Sequence, residues 1–288
     1  MKSMLGVELR KAIRTKGFLF SVAIGIIMVI LQTMWFYNNV YCVNNELYAD
    51  VLGMNYMDDN YGNWFECGIL EGWLGCETYS PYNQMFYIVF PLLATLPYGI
   101  SLYNEWNSGY AGQMIVRSGR KIYLCGKLIA VFVSGGLAVV VPLLVSLLLA
   151  ACYLPAIGVD PVSMQAVVTN RDMWANLYYE YPVVYASCYI VFDFIYGGLF
   201  AVLAMVSSKW FDNRFGILVF PLLVHCALYY GISNLFPQIS VYNPSVYLNP
   251  AQLSGTNVFL CIGIITLVLL IGQSLLYWFS NEKRDIIH

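Results

Sequence analysis

Charge is scarce in this chain. Of its 288 residues only 10% are Asp, Glu, Lys or Arg, against 60% hydrophobic, and the mean hydropathy is +0.66. A soluble domain carries roughly 25% charged residues, so most of the surface must meet something other than water. Histidine is scarcer still: His225 lies inside an apolar run and His288 is the last residue. A water-exposed Ser–His–Asp arrangement cannot be assembled from those two. The chain has no G-x-x-x-x-G-K-[ST] phosphate loop and no polar stretch long enough for a nucleotide-binding fold. It is therefore not expected to hydrolyse ATP or to be an enzyme. It has no CxxC pair and no His near Cys42, Cys67 or Cys76, and Asp58, Asp59 and Glu66 miss the EF-hand spacing, so no metal is expected. A continuous basic stripe is also missing, which argues against nucleic acid as a partner.

What the chain has is long apolar runs. A hydrocarbon core about 30 Å thick needs roughly 20 apolar residues in a helix. Six stretches qualify: 17–37, 84–104, 125–152, 183–207, 216–236 and 257–279. Backbone groups in lipid must be paired within their own segment, which selects helices over open strands. The expected fold class is an all-α integral membrane protein with six transmembrane helices. The first run is longer than a signal-peptide core and no small-residue cleavage pattern follows it, so it reads as a retained helix. Pro91, Pro97, Pro142 and Pro221 interrupt the runs and should kink them.

The few charges are sorted by sign. Thirteen of the fourteen Lys and Arg residues flank the runs on one side, and only Arg171 falls on the other. Basic residues resist translocation, so this bias places both termini in the cytoplasm of a cell-membrane protein. Membrane lipid is then a partner, its anionic headgroups meeting the inner cations. Ten of the sixteen acids lie in two outer segments, 39–82 and 154–182. Residues 1–16 set Leu5, Leu9, Ala12 and Ile13 against Arg10, Lys11 and Arg14 at helical spacing, the pattern of an amphipathic interfacial helix.

The large extracellular loop 39–82 contains Cys42, Cys67 and Cys76, on the side where oxidation is permitted. A Cys67–Cys76 bridge would staple a short loop, with Cys42 as a competitor for either partner. Aromatic residues there (Tyr56, Tyr61, Trp64, Phe65 and Trp73) suit either an amphiphilic peptide or lipid, or a small core of the loop's own. Asp193 is the only acid deep inside a run. At 1.5 Å per residue it sits about 15 Å past Val183, and His225 lies at similar depth on the next run. An ionisable group there needs a partner or a wet cavity. The expectation is that Asp193 and His225 face one another or a shared pocket, as a gating or substrate-contact pair, a proton relay, or a structural hydrogen bond.

The most specific stretch is Glu105-Trp106-Asn107-Ser108-Gly109-Tyr110, continuing through Met114 to Arg117, Arg120, Lys121 and Lys127. Taken with the opening Glu8-Leu9-Arg10-Lys11 and the six runs, it resembles the permease subunits of type-2 ATP-binding cassette transporters over nearly the whole chain. Glu105, Gly109, Arg120 and Lys127 match that family's acid, glycine and basic positions. The resemblance implies that 105–124 is a cytoplasmic coupling loop, with 106–119 as the coupling element. It also implies that ATP and Mg act on separate ATPase subunits with no cofactor on this chain, and that a second permease copy or paralogue completes the pathway. The implied activity is export, in bacteria, of an amphiphilic peptide, lipid or drug. Independently of the resemblance, apolar Tyr110, Met114 and Ile115 between polar flanks suit a groove on a partner, or a plain surface turn. Two rivals compete with the exporter: an ion-coupled secondary transporter using Asp193 and His225, and a sensor or immunity protein that binds extracellular peptide through 39–82.

Overall fold

The computed structural model describes residues 2–43, 67–77, 80–158, 168, 172–236, 238, 242–249 and 259–282. Among them every regular element is helical and no strand occurs. In chain order the helices are α1 (Lys2–Arg14), α2 (Lys16–Phe36), α3 (Ile69–Gly72), α4 (Pro81–Thr95), α5 (Ser101–Asn107), α6 (Tyr110–Ser118) and α7 (Arg120–Tyr153). They continue as α8 (Ala175–Glu180), α9 (Pro182–Ser207), α10 (Arg214–Cys226) and α11 (Phe259–Glu282). Helices α2 and α10 each run on into a π-helical turn, Tyr37–Tyr41 and Ala227–Ile232. Among the described residues five helical stretches are long and apolar enough to cross a membrane: Lys16–Tyr41, Arg120–Tyr153, Pro182–Ser207, Arg214–Ile232 and Cys261–Trp278. That is the character of a multi-pass membrane protein. Their exposed faces are apolar, for example Leu19, Phe20 and Met34 on α2, Leu148 on α7 and Leu267 on α11.

The second expected stretch, 84–104, is not one helix. Helix α4 ends at Thr95, the chain turns through 96–100, and α5 starts at Ser101. Proline has no amide hydrogen, so Pro97 cannot bond the carbonyl four residues back, that of Leu93. Ser21 of α2 fills the gap, its hydroxyl donating to the Leu93 carbonyl at 2.6 Å. The neighbouring turn comes so close that a Cβ on Gly17 would lie 2.5 Å from the Leu96 carbonyl oxygen. Thr15 caps α2 by accepting from the Phe18 amide, and its hydroxyl lies 3.0 Å from the Pro97 carbonyl oxygen. The break is therefore locked from outside, by the α1–α2 elbow.

The core forms where α4, α7 and α9 meet through small residues. A Cβ on Gly135 of α7 would lie 2.4 Å from the Ala201 Cβ on α9 and 2.9 Å from the Ala94 carbonyl oxygen on α4. Lipid supplies little force for helix association, and close backbone approach replaces it. At one end of the bundle lie α1, α5, α6 and the start of α7, joined by the Ser208–Asn213 turn through a hydrogen bond from the Tyr103 hydroxyl to the Asp212 carbonyl. This is the basic end.

The opposite end is closed by residues 67–77. Trp73 is fully buried and its indole donates to the Leu143 carbonyl at 3.0 Å. The Leu74 amide donates to Ser146 Oγ at 2.9 Å, and Gln32 Nε2 to the Gly72 carbonyl at 3.3 Å. Burial pushes the Glu71 carboxyl up to about 7, against the Gly68 amide that donates to it at 2.7 Å. The expected Cys67–Cys76 bridge does not form, and Cys42 joins neither. The α3 turn stands between the two thiols. Cys67 sits with Phe36, Val40, Ala150 and Leu154, whereas Cys76 sits with Trp73, Tyr178 and Tyr185 in a separate apolar cluster. The stretch holding Tyr56, Asp58, Asp59, Tyr61, Trp64, Phe65 and Glu66, like Arg171, lies outside the described residues.

Candidate functional site

The site at the basic end starts with the face that α1 buries. Leu5, Leu9, Ala12 and Ile13 were the expected apolar side. The buried line is instead Met4, Glu8 and Ala12, at 8%, 0% and 0% exposure, while Ile13 is exposed. These three are four residues apart, so they share one stripe, and a carboxylate stands in the middle of it. Glu8 is turned inward because α7 presents an amine there. Lys127 is also fully buried, and its Nζ lies 3.2 Å from Glu8 Oε2 and 2.8 Å from Glu105 Oε1.

Further groups complete the shell. Tyr98, in the break between α4 and α5, donates to Glu8 Oε2 at 2.9 Å and accepts from Lys127 at 3.0 Å. Tyr123 of α7 donates to Glu105 Oε2. Lys11 lies 3.6 Å from Glu8 and 3.5 Å from Glu105, and donates to the Tyr110 hydroxyl at 3.0 Å. Partial burial alone would lower the Lys11 pKa. The Tyr110 hydroxyl and the Glu105 and Glu8 carboxylates outweigh it and hold the ammonium above its ordinary value. Two carboxylates and two ammoniums thus form a neutral group that ties α1, α5, the head of α6 and α7 together. An assembly of this kind recovers the desolvation cost of its charges only when every partner is in place.

Helix α6 hangs from this group. It is preceded by Gly109 at φ 73° and followed by Gly119 at φ 83°, both in the left-handed region that a side chain resists. Arg120 then opens α7. The apolar side of α6 was expected to face a partner, but it faces the chain. Ala111 and Ile115 are buried, Met114 packs against the same core as Tyr123 and Leu124, and the Tyr110 hydroxyl is held by Lys11. Amphipathic periodicity marks a face to be covered, and here the chain covers it itself. Gln113, Val116 and Arg117 remain outward, with Val116 81% exposed.

Asp193 and His225 are both buried in the bundle, at 1% and 3% exposure, but they form no ion pair with one another. Tyr87 of α4 stands between their roles. Pro91 withholds a donor from the Tyr87 carbonyl, and His225 makes the hydrogen bond to that backbone. The histidine thus repairs a proline kink. Asp193 lies within electrostatic range of the Tyr87 hydroxyl, yet both Asp193 oxygens, the Tyr87 hydroxyl and His225 Nδ1 are buried without hydrogen-bond partners.

Glu105 and Lys127 were readable from the sequence as motif positions; that Glu8, Lys11 and Tyr98 complete their shell was not. One signal was available. Glu8 is an acid in an otherwise basic segment, in line with Met4 and Ala12. Among the described residues no cluster of His, Cys, Asp and Glu could hold a metal ion. The arrangement at the basic end links α1, α5, α6 and α7 through buried and half-buried charges and hydroxyls. Comparison of the chain with protein families, with curated proteins and with solved structures finds no match.

Proposed function

We propose that the chain is the membrane-spanning half of an ATP-driven exporter, of the type-2 ATP-binding cassette kind, moving an amphiphilic peptide, lipid or drug outward. In this reading the divided 81–107 segment joins the five long helices to make six passes. The basic end and both termini face the cytoplasm of a bacterial cell. The chain is not an enzyme: ATP and Mg act on separate ATPase subunits beneath α6, and a second permease copy or paralogue completes the pathway. The observation that carries the reading is the joint at α6. An outward-facing helix between two left-handed glycines is fastened through Tyr110–Lys11 and Glu105–Lys127 to α1, α5 and α7. A push on Gln113, Val116 or Arg117 would then reach the spanning helices through buried charge contacts, as a rigid displacement.

The test is reconstitution in vesicles with and without a candidate ATPase. ATP-dependent efflux, with cross-linking of Gln113→Cys and Val116→Cys to the ATPase, is the expected result. Failure of the ATPase to bind or to drive flux would sink the reading. The unpartnered Asp193 oxygens favour one second reading, an ion-coupled carrier. It requires flux from this chain alone on an ion gradient, abolished by Asp193→Asn.

A further inference from the structure

An open cleft of about 650 Å³ lies between α1 and α5 at the basic end, lined by Val7, Arg10, Lys11, Arg14, Thr15 and Asn104 among others. Lys11 is already engaged with Glu105, Glu8 and Tyr110. Arg10 and Arg14 are not. They stand one helical turn apart, both are exposed, and neither makes an ion pair among the described residues. The lining carries three cations against one acid, Glu105, so its balance is positive and rests on these two guanidinium groups. Paired guanidinium groups match the oxygens of a phosphate with parallel donors. On the other wall stands Asn104, whose side-chain oxygen is buried and has no hydrogen-bond partner, an acceptor that nothing in the chain uses and that a rotation of this side chain would bring to the cleft. Val7, which lines it, is 49% exposed, and α2, which begins just past Thr15, exposes Leu19 and Phe20 in its first two turns.

We propose that this cleft binds a phosphate-bearing headgroup that also carries a hydroxyl, the chemistry of phosphatidylglycerol. Arg10 and Arg14 take the phosphate, and Asn104 accepts from the headgroup hydroxyl. A soluble glycerol phosphate carries the same polar groups, but the exposed Val7, Leu19 and Phe20 suit acyl chains, and the lipid is the source the cleft favours. Because Lys11 lines the cleft and also contacts both carboxylates of the buried group, an occupant braces α1 against α5. The inference rests on the bundle lying in a bilayer and needs neither the ATPase nor transport.

The experiment is native mass spectrometry of the full chain purified from nanodiscs of phosphatidylcholine doped with phosphatidylglycerol. Wild type should retain phosphatidylglycerol, and Arg10→Gln/Arg14→Gln should retain about 30-fold less, taking each surface arginine at its usual worth toward an anionic lipid. Arg10→Lys/Arg14→Lys keeps the charge and loses the paired donors, so it should fall between the two. Asn104→Leu should erase any preference for phosphatidylglycerol over phosphatidic acid, which lacks the headgroup hydroxyl. Both arginines are exposed, so the variants should elute and unfold like wild type. Equal retention by wild type and the double Gln variant would overturn the site. Displacement of the lipid by millimolar-range glycerol phosphate would overturn the lipid as its source.

Discussion

At the basic end, Lys127 and Glu8 are wholly buried and 3.2 Å apart, with Glu105 and Lys11 completing a neutral group. Midway through the bundle Asp193 is nearly as deeply buried, and neither of its oxygens has a hydrogen-bond partner. The first arrangement specifies geometry: each charge has one place where its desolvation is offset, so four helices are held in register. The second specifies nothing about its surroundings. Helix packing through Gly135 and its neighbours surrounds it, and no group among the described residues answers its oxygens. One buried region is therefore a joint of paired charges and the other holds an acid without hydrogen-bond partners among the described residues, and the two should respond differently to substitution.

The largest difference should come from Lys127→Ala. Removing one member of a buried group leaves Glu8 and its neighbours uncompensated, and the loss should be about 3–5 kcal/mol in unfolding from detergent micelles. The double variant Glu8→Gln/Lys127→Met removes the charge pair together and should cost far less than the single change. If the double variant is as damaged as Lys127→Ala, the charges act by shape alone and the comparison collapses.

Glu71 sharpens the comparison through pH. It is another buried acid, answered by a backbone amide rather than an amine. Its carboxyl titrates at about 7 in the fold against 4.5 when free. Between those values the unfolded chain has lost the proton that the folded chain keeps. Stability must then fall as pH rises from about 4.5 to about 7 and level off above, by up to about 3 kcal/mol. Glu71→Gln should flatten that slope in thermal unfolding scans across the same range. A slope that persists in the variant assigns it to another group.

The long helices were legible because an apolar run marks its own ends: Pro182–Ser207 and Lys16–Phe36 fall within a residue of the stretches 183–207 and 17–37. The helix expected at 125–152 begins earlier, at Arg120, since a spanning helix can continue through charged residues once it leaves the apolar layer. The divided second stretch was only half legible. Pro91 and Pro97 announce kinks, but the donors that answer the freed carbonyls, Ser21 and His225, come from other helices. The buried group was obscured for the same reason. Lys11 and Glu105 are 94 positions apart, and a single sequence does not show which acid meets which amine. Periodicity fixed that α6 has an apolar face; it carried no information about whether the chain or a partner covers it.

The smallest effects separate the two regions most cleanly, because they change one hydroxyl or one carboxyl at nearly constant shape. Tyr98→Phe removes a hydroxyl bonded to both Glu8 and Lys127, leaving buried charges short of a partner, and should cost about 1–3 kcal/mol. Tyr87→Phe removes a buried hydroxyl that has no partner, and should leave stability within about 0.5 kcal/mol of wild type or raise it. Asp193→Asn belongs with Tyr87→Phe. No ion pair or hydrogen bond is lost and the shape is nearly kept, so unfolding should shift by less than about 1 kcal/mol. If either mid-bundle variant falls as far as Tyr98→Phe, those atoms are bonded after all and both regions are joints. If both stay level while flux in the reconstituted vesicles drops, the mid-bundle groups are kept for the cargo or its coupled ion, because the fold does not need them.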